Sequence, residues 1–287
     1  MFKQNIKKIK PDWLMKKISF THKRDVETAL KEIGINTVCQ EAMCPNISEC
    51  FSKKVATFMI LGATCTRACS YCNVKTGTPI GVDQEEPEKI TNAVMYLGLK
   101  HVVITSVTRD DLHDGGANQF IECTKAIKKI DSNITVELLI PDLKYSSEAL
   151  NNIANCGAEI VGHNIETVPR LYHIRKGANY KKSLGVLKTL KNANPKLKIK
   201  SSYMLGLGES EDELKESLKD LFNMGCTLLT MGQYLAPSRV HEKVIEYITP
   251  KKFNEYKNMA KKIGFEFVKS SPYTRSSYMA HEYFENS

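Results

Sequence analysis

The sequence predicts an α/β fold, a partial (β/α)6-type TIM barrel with an extension at each end. Three observations predict it. From Val55 onward, short apolar or β-branched runs alternate with amphipathic stretches of helical period. Six or more βα units follow one another, and such units place parallel strands inside and helices outside. The polar and reactive residues fall where the strand runs end, the face on which barrels of this kind collect function.

Residues 1–54 read as an N-terminal extension with a cysteine loop, 55–270 as the barrel and 271–287 as a C-terminal tail. In the first extension, residues 11–15 open a short amphipathic piece and 25–33 another. Trp13, the only tryptophan, is the expected anchor onto the body. Pro45 and Asn46 give the cysteine-rich segment a loop composition. The strand runs are 55–62, 101–107, 134–140, 158–166, 197–206, 227–235 and 265–271. The helical runs between them are 86–99, 117–130, 146–154, 180–192, 211–224 and 250–263. Ser210-x-x-Glu213 forms a capping-box signal, and Thr249 precedes a proline at the first helical position. By composition alone, Arg275–Tyr278 reads as an exposed polar tail.

With 41 Lys and Arg against 32 Asp and Glu, the net charge is +9, which favours an acidic partner or simple solubility. The lysines are scattered, with a modest N-terminal cluster and no aromatic-basic patch, so nucleic acid is not an expected partner. No run approaches the roughly 18 to 20 apolar residues of a membrane span. The N-terminus has no apolar core followed by a small-residue cleavage site. Nine cysteines, an odd number in clustered spacings, point to metal sites in a reducing cytoplasm rather than to disulfides.

Six of those cysteines form two triads, Cys39-x4-Cys44-x5-Cys50 and Cys65-x3-Cys69-x2-Cys72. Structural zinc takes four ligands in a tetrahedron. Three thiolates on a cubane iron–sulfur cluster leave one iron open to a small molecule. Two triads thus predict two clusters. At period two, Asn164 and Glu166 share a strand face, as do Ser106 and Thr108; both pairs read either as lumen groups or as satisfied polar groups at strand ends. Arg175 is a candidate for bidentate pairing with a carboxylate, or an exposed arginine. Gly206-x-Gly208-Glu209 offers room for close ligand approach, or is a plain helix start. His163 alternates with Val161 and Ile165 and belongs in the core, while the other histidines show no metal spacing. Cys123, Cys156 and Cys226 receive no role.

The Cys65–Cys72 spacing, with Tyr71 before its last cysteine, resembles that of the radical S-adenosylmethionine (SAM) superfamily. The motifs CQEAMCPNISEC, FMILGATCTRACSYC, TSVTRDDLHDGGA, HNIETVPRLY, GQYLAPSRVH and RSSY, in that order, make the chain similar to lipoyl synthases over about residues 10–280. Ala63, Ala68, Tyr71 and His113 depart from the acidic, basic, phenylalanine and proline residues of that pattern, and none is a cluster ligand.

The resemblance implies a [4Fe-4S] cluster on Cys65, Cys69 and Cys72 that cleaves SAM reductively to a 5'-deoxyadenosyl radical. It implies a second, auxiliary [4Fe-4S] cluster carried by the extensions on Cys39, Cys44, Cys50 and Ser277, with Ser276 as the alternative serine. A hard alkoxide on soft iron leaves more readily than a thiolate, which suits a cluster that is consumed. Tyr71, Ser106, Thr108, Asn164, Glu166 and Arg175 would hold SAM. The implied reaction inserts sulfur at C6 and C8 of an octanoyl chain on a lipoyl carrier domain, a 2-oxoacid dehydrogenase E2 subunit or the glycine cleavage H protein. An electron donor and iron–sulfur assembly proteins are the further partners. The competing expectations are another sulfur-inserting radical SAM enzyme, such as a biotin synthase or methylthiotransferase, and a metal module that binds nucleic acid.

Overall fold

The computed structural model describes residues 10–15, 28, 30, 32–38, 46, 49, 50, 57–278 and 280. In chain order its strands are β1 (Asn36–Thr37), β2 (Thr57–Ile60), β3 (Thr64–Cys65), β4 (Lys75–Thr76), β5 (His101–Ser106), β6 (Thr135–Leu139), β7 (Ile160–Gly162), β8 (Lys198–Leu205), β9 (Leu228–Gln233) and β10 (Phe267–Ser270). The helices are α1 (Glu86–Leu97), α2 (Ala117–Ile130), α3 (Ser147–Ala154), α4 (Tyr180–Ala193), α5 (Glu211–Asn223) and α6 (Pro250–Ile263). The main sheet runs β1-β2-β5-β6-β7-β8-β9-β10, parallel from β2 to β10, with β1 antiparallel on the outer edge of β2. Its described strands form an open row, the partial barrel that the βα alternation predicts. The two-residue strands β1, β3 and β4 were not expected, because two residues carry no periodicity to read.

Strand parity separates two environments. Val102, Ile104, Val136, Leu138, Val161, Ile199, Leu229 and Met231 join the main core with helix residues such as Ile90, Phe120, Leu187 and Leu218. On the opposite parity, Val103, Ile160 and Leu228 pack with Phe267 and with Ala280. That second face is the lumen. It also holds a buried ion pair, Lys200 Nζ to Glu137 Oε1 at 2.5 Å, with His101 Nε2 3.3 Å from the other carboxylate oxygen. Burial pushes the Glu137 carboxyl upward, but Lys200 and His101 outweigh it and hold the group below its ordinary value.

The segment after β10 turns back into this lumen instead of hanging free. Pro272 O accepts from Gln233 N at 3.2 Å, and Thr274 and Ala280 are buried. Gly232 of β9 makes the passage possible, since a Cβ there would stand 1.9 Å from Thr274 O. At the other end of the chain, Leu14 is fully buried while Trp13 keeps 43% of its surface exposed, so the expected aromatic anchor is an aliphatic one. Among the described residues, no helix is long and apolar enough to cross a membrane.

Candidate active site

The cysteine loop begins with a forced turn. After β2 the chain enters left-handed backbone at Leu61 (φ 66°) and Gly62 (φ 85°). For leucine this costs about 1 to 2 kcal/mol. Two buried side chains compensate: the Glu86 carboxylate accepts Leu61 N at 2.9 and 3.0 Å, and Arg109 donates to Leu61 O at 3.2 Å while forking onto Asp111. The turn delivers Cys65 to the barrel mouth, where β3 pairs with β4 and closes the loop.

Arg67, between the first two cysteines, is the centre of the loop. Its Nε and Nη2 donate to Asp110 at 2.8 and 2.7 Å, and Nη1 and Nη2 donate to Asp142 at 2.5 and 2.9 Å. Bidentate pairing with two carboxylates engages four of the five guanidinium N–H groups. Asp142 lies just before Leu143, Lys144 and Tyr145, three consecutive residues at φ 45°, 55° and 59°. Burial would raise its carboxyl, but Arg67 overcomes that and holds it below the ordinary range.

The far side of the loop is tied to the segment after β9. The Ser70 hydroxyl donates to Glu242 Oε1 at 2.6 Å, Glu242 N donates to Ser70 O at 3.0 Å, and His241 Nε2 donates to Cys72 O at 3.1 Å. Sequence reading assigned no role to Arg67, Asp142, Glu242, His241, Glu86 or Arg109, although Arg67, Arg109 and His241 lie inside the motifs quoted above.

Cys65, Cys69 and Cys72 are half-buried free thiols. Cys65 Sγ accepts from Arg67 N and Thr108 N, both at 3.4 Å. Burial pushes the Cys69 thiol up, against Arg175 and Tyr71, and pushes Cys72 up to about 11. A bound cation inverts that preference and draws off the protons. Among the described residues, no three His, Cys, Asp or Glu side chains converge as the ligands of one ion do. Three thiols on one loop, with Cys65 Sγ already receiving two backbone N–H groups, are the kind of donor set that the separated corners of an iron–sulfur cluster take.

Asn164 and Glu166 continue the parity of Ile160 and so follow the lumen face. Glu166 has left-handed backbone (φ 69°), yet it stays in the ladder through Glu166 N to Ser202 O and Met204 N to Glu166 O, both 2.9 Å. Burial raises its carboxyl, opposed by Arg175 and by Asn164 Nδ2, which donates to Glu166 Oε1 at 3.0 Å. Arg175 is not exposed. Its Nη1 donates to Asn164 O at 2.8 Å and to the Tyr172 hydroxyl, while its buried Nε has no partner. Tyr71 is half-buried beside Glu166 and Arg175, and desolvation raises its hydroxyl well above the usual value.

The other candidates are placed differently. Ser106 has the parity of the helix-facing Val102 and Ile104, and its buried Oγ has no partner. Thr108 acts through its main chain, its carbonyl accepting Thr66 N at 3.0 Å and Thr66 Oγ1 at 2.9 Å. At Gly206 the close approach is made by the chain itself, because a Cβ would stand 2.2 Å from Glu246 O. Glu209 closes that turn by accepting Gly206 N and Leu207 N at 2.6 and 2.9 Å. His163 is a core residue, buried with Nδ1 donating to Ile140 O at 3.0 Å.

Of the first triad, Cys39 and Cys44 lie outside the described residues, and Cys50 is buried. The neighbourhood of Cys50 meets the C-terminal segment. Tyr278 OH donates to Glu49 Oε1 at 2.9 Å, and Asn46 Nδ2 donates to Tyr273 O at 2.7 Å. Half-buried Ser277 stands between Tyr278 and Ser276, whose hydroxyl donates to Asn164 Oδ1 at 3.1 Å. The two extensions therefore meet at the mouth that holds the cysteine loop.

Comparison with known proteins gives the family. The Radical SAM superfamily profile matches residues 59–221. The lipoyl synthase of Geobacter metallireducens is 52% identical over 274 residues, covering 96% of this chain and 97% of the relative. That of Caldicellulosiruptor bescii is 50% identical and covers 94% of each chain. Among solved structures, Streptococcus suis SuiB bound to its precursor peptide SuiA aligns with a TM-score of 0.59 at 12% identity, covering 86% of this chain and 52% of that one. The hydrogenase maturase HydG of Carboxydothermus hydrogenoformans aligns at 0.56 and 14%, covering 80% and 65%. This chain thus spans about half the length of SuiB, and these distant structures speak for the barrel alone. Half of the residues are shared with lipoyl synthases over almost the full chain, and the chain belongs to the lipoyl synthase family of radical SAM sulfur-inserting enzymes.

Proposed function

We propose that the chain inserts sulfur at C6 and C8 of an octanoyl group carried on a lipoyl domain, using two [4Fe-4S] clusters with separate duties. When bound, the cluster on Cys65, Cys69 and Cys72 supplies the electron that cleaves SAM, and the cluster on Cys39, Cys44, Cys50 and Ser277 supplies the sulfur. Tyr71, Asn164, Glu166 and Arg175 line the SAM pocket beside the first, with the Thr108 main chain at its edge and Ser106 turned away from it. The buried carboxylate of Glu166 and the unpartnered Nε of Arg175 suit the amino and carboxylate groups of an amino-acid ligand. Residues 1–54 and 271–287 form the auxiliary-cluster holder, and 55–270 the radical-generating barrel.

One observation carries this reading. The bond between Tyr278 and Glu49 joins the immediate neighbours of Ser277 and Cys50 across 229 positions of sequence, at the mouth that Ser276 reaches through Asn164. A basic surface on a cytoplasmic enzyme would steer acidic carrier domains, of the E2 or glycine cleavage H type, toward that mouth. The test is anaerobic reconstitution with an octanoylated lipoyl-domain peptide, SAM and dithionite, read by mass spectrometry. Gain of two sulfur atoms per peptide is the expected result. An iron content of about four per chain, where two cubanes require about eight, overturns it.

A further inference from the structure

The lumen contains a continuous side-chain path between the two proposed cluster regions. Ser276 Oγ donates to Asn164 Oδ1 at 3.1 Å, and the same amide donates through Nδ2 to Glu166 Oε1 at 3.0 Å. An asparagine amide has one accepting and one donating end. Because Ser276 engages the oxygen, the NH2 is turned toward Glu166. The main chain at this point is fixed separately: Arg175 Nη1 holds Asn164 O, and Glu166 is pinned to β8 at both its N–H and its carbonyl. The amide is left as the adjustable member, and its orientation depends on where the C-terminal segment sits.

We infer that the Ser276–Asn164–Glu166 chain couples seating of the C-terminal segment in the lumen to SAM binding, with Asn164 as the positioning residue. The inference rests on Glu166 belonging to the SAM pocket, and it goes beyond that reading by making the tail part of the pocket. With the tail seated, Glu166 receives the Asn164 donor and its carboxylate is held in place for the ligand. With the tail withdrawn, the amide loses the contact that fixes its oxygen, and the carboxylate is held by a less constrained donor. Coupling of this kind is reciprocal, so SAM must stabilise the seated tail by the factor with which the tail strengthens SAM. A protein whose tail has been displaced from the mouth therefore releases SAM more readily.

The experiment measures SAM affinity of cluster-loaded protein by calorimetry for the wild type, Ser276→Ala, Ser276→Thr, Glu166→Gln and the Ser276→Ala/Glu166→Gln pair. Coupling worth up to one hydrogen bond of ordinary net strength predicts binding weaker by as much as about fivefold for Ser276→Ala. The threonine variant, which keeps the hydroxyl, should bind as the wild type does. The double variant should be no weaker than Glu166→Gln alone, as two members of one chain require. Hydrogen exchange supplies the second readout. In cluster-free protein, residues 271–278 should exchange faster in Ser276→Ala than in the wild type, and in loaded wild type they should slow when SAM is added. Unaltered SAM affinity in Ser276→Ala, additive losses in the pair, or tail exchange that ignores SAM would each overturn the coupling while leaving the function intact. A loaded wild type that binds no SAM overturns the functional reading, and the coupling with it.

Discussion

The two cysteine regions are held by different means. Cys65–Cys72 sits on a loop gripped from several sides by the barrel: Arg67 by Asp110 and Asp142, Thr66 by the Thr108 carbonyl, and Ser70 by Glu242. Cys50 lies among contacts between one chain end and the other, through Glu49 with Tyr278 and Asn46 with Tyr273. A site that serves in every turnover gains from a rigid mount. The proposed sulfur source, which would surrender its contents and be rebuilt, would gain from a mount that can part, and a contact between chain ends parts without disturbing the sheet.

The largest expected effects separate the two mounts. Cys69→Ala should abolish formation of 5'-deoxyadenosine, whereas Cys44→Ala should still form it and transfer no sulfur; chromatography of both products checks this, and identical phenotypes would erase the distinction. Gly232→Ala should strike the end-held side, since its methyl group meets a backbone carbonyl that cannot move alone. A destabilisation of about 3 kcal/mol is expected from such overpacking, with residues 271–278 opened to proteolysis. Arg67→Lys should strike the barrel-held side by replacing a double fork with a point charge. About 10- to 100-fold weaker cluster retention is expected, read from iron content after chelator challenge, with Cys50 exposure unchanged.

The smallest effect is on stability against pH. His163 is kept neutral, its value lowered from 6.5 to about 4 first by burial and then by Arg175. The unfolded chain therefore takes up this proton before the folded one does. The contribution is complete above the unfolded value and is lost as pH falls from about 6.5 toward about 4. Urea unfolding at about pH 7 and about pH 5 should show a drop in the wild type that is smaller in His163→Gln.

The barrel and the radical-cluster loop were legible in the sequence because both signals are local. Seven apolar runs of strand length became seven parallel strands, and Cys65-x3-Cys69-x2-Cys72 needs only eight residues to be seen. The grip on that loop was not legible, since Arg67 meets carboxylates 43 and 75 positions away. Ser106 shows the limit of period-two reasoning: the spacing to Thr108 is real, but it does not say which parity faces the lumen. The tail misled for a related reason. Arg275–Tyr278 is polar because its partners Asn164 and Glu49 are polar and half-buried, and composition cannot tell a protein partner from water.

Ala280 and Thr274 fill space bounded by strands made long before them, and this bears on how the molecule is born. Synthesis runs from the N-terminus, so six βα units leave the ribosome ahead of the residues that occupy their interior. Until those residues arrive, the interior stands open to water. The interior of the barrel is thus filled last, by residues that follow every strand bounding it.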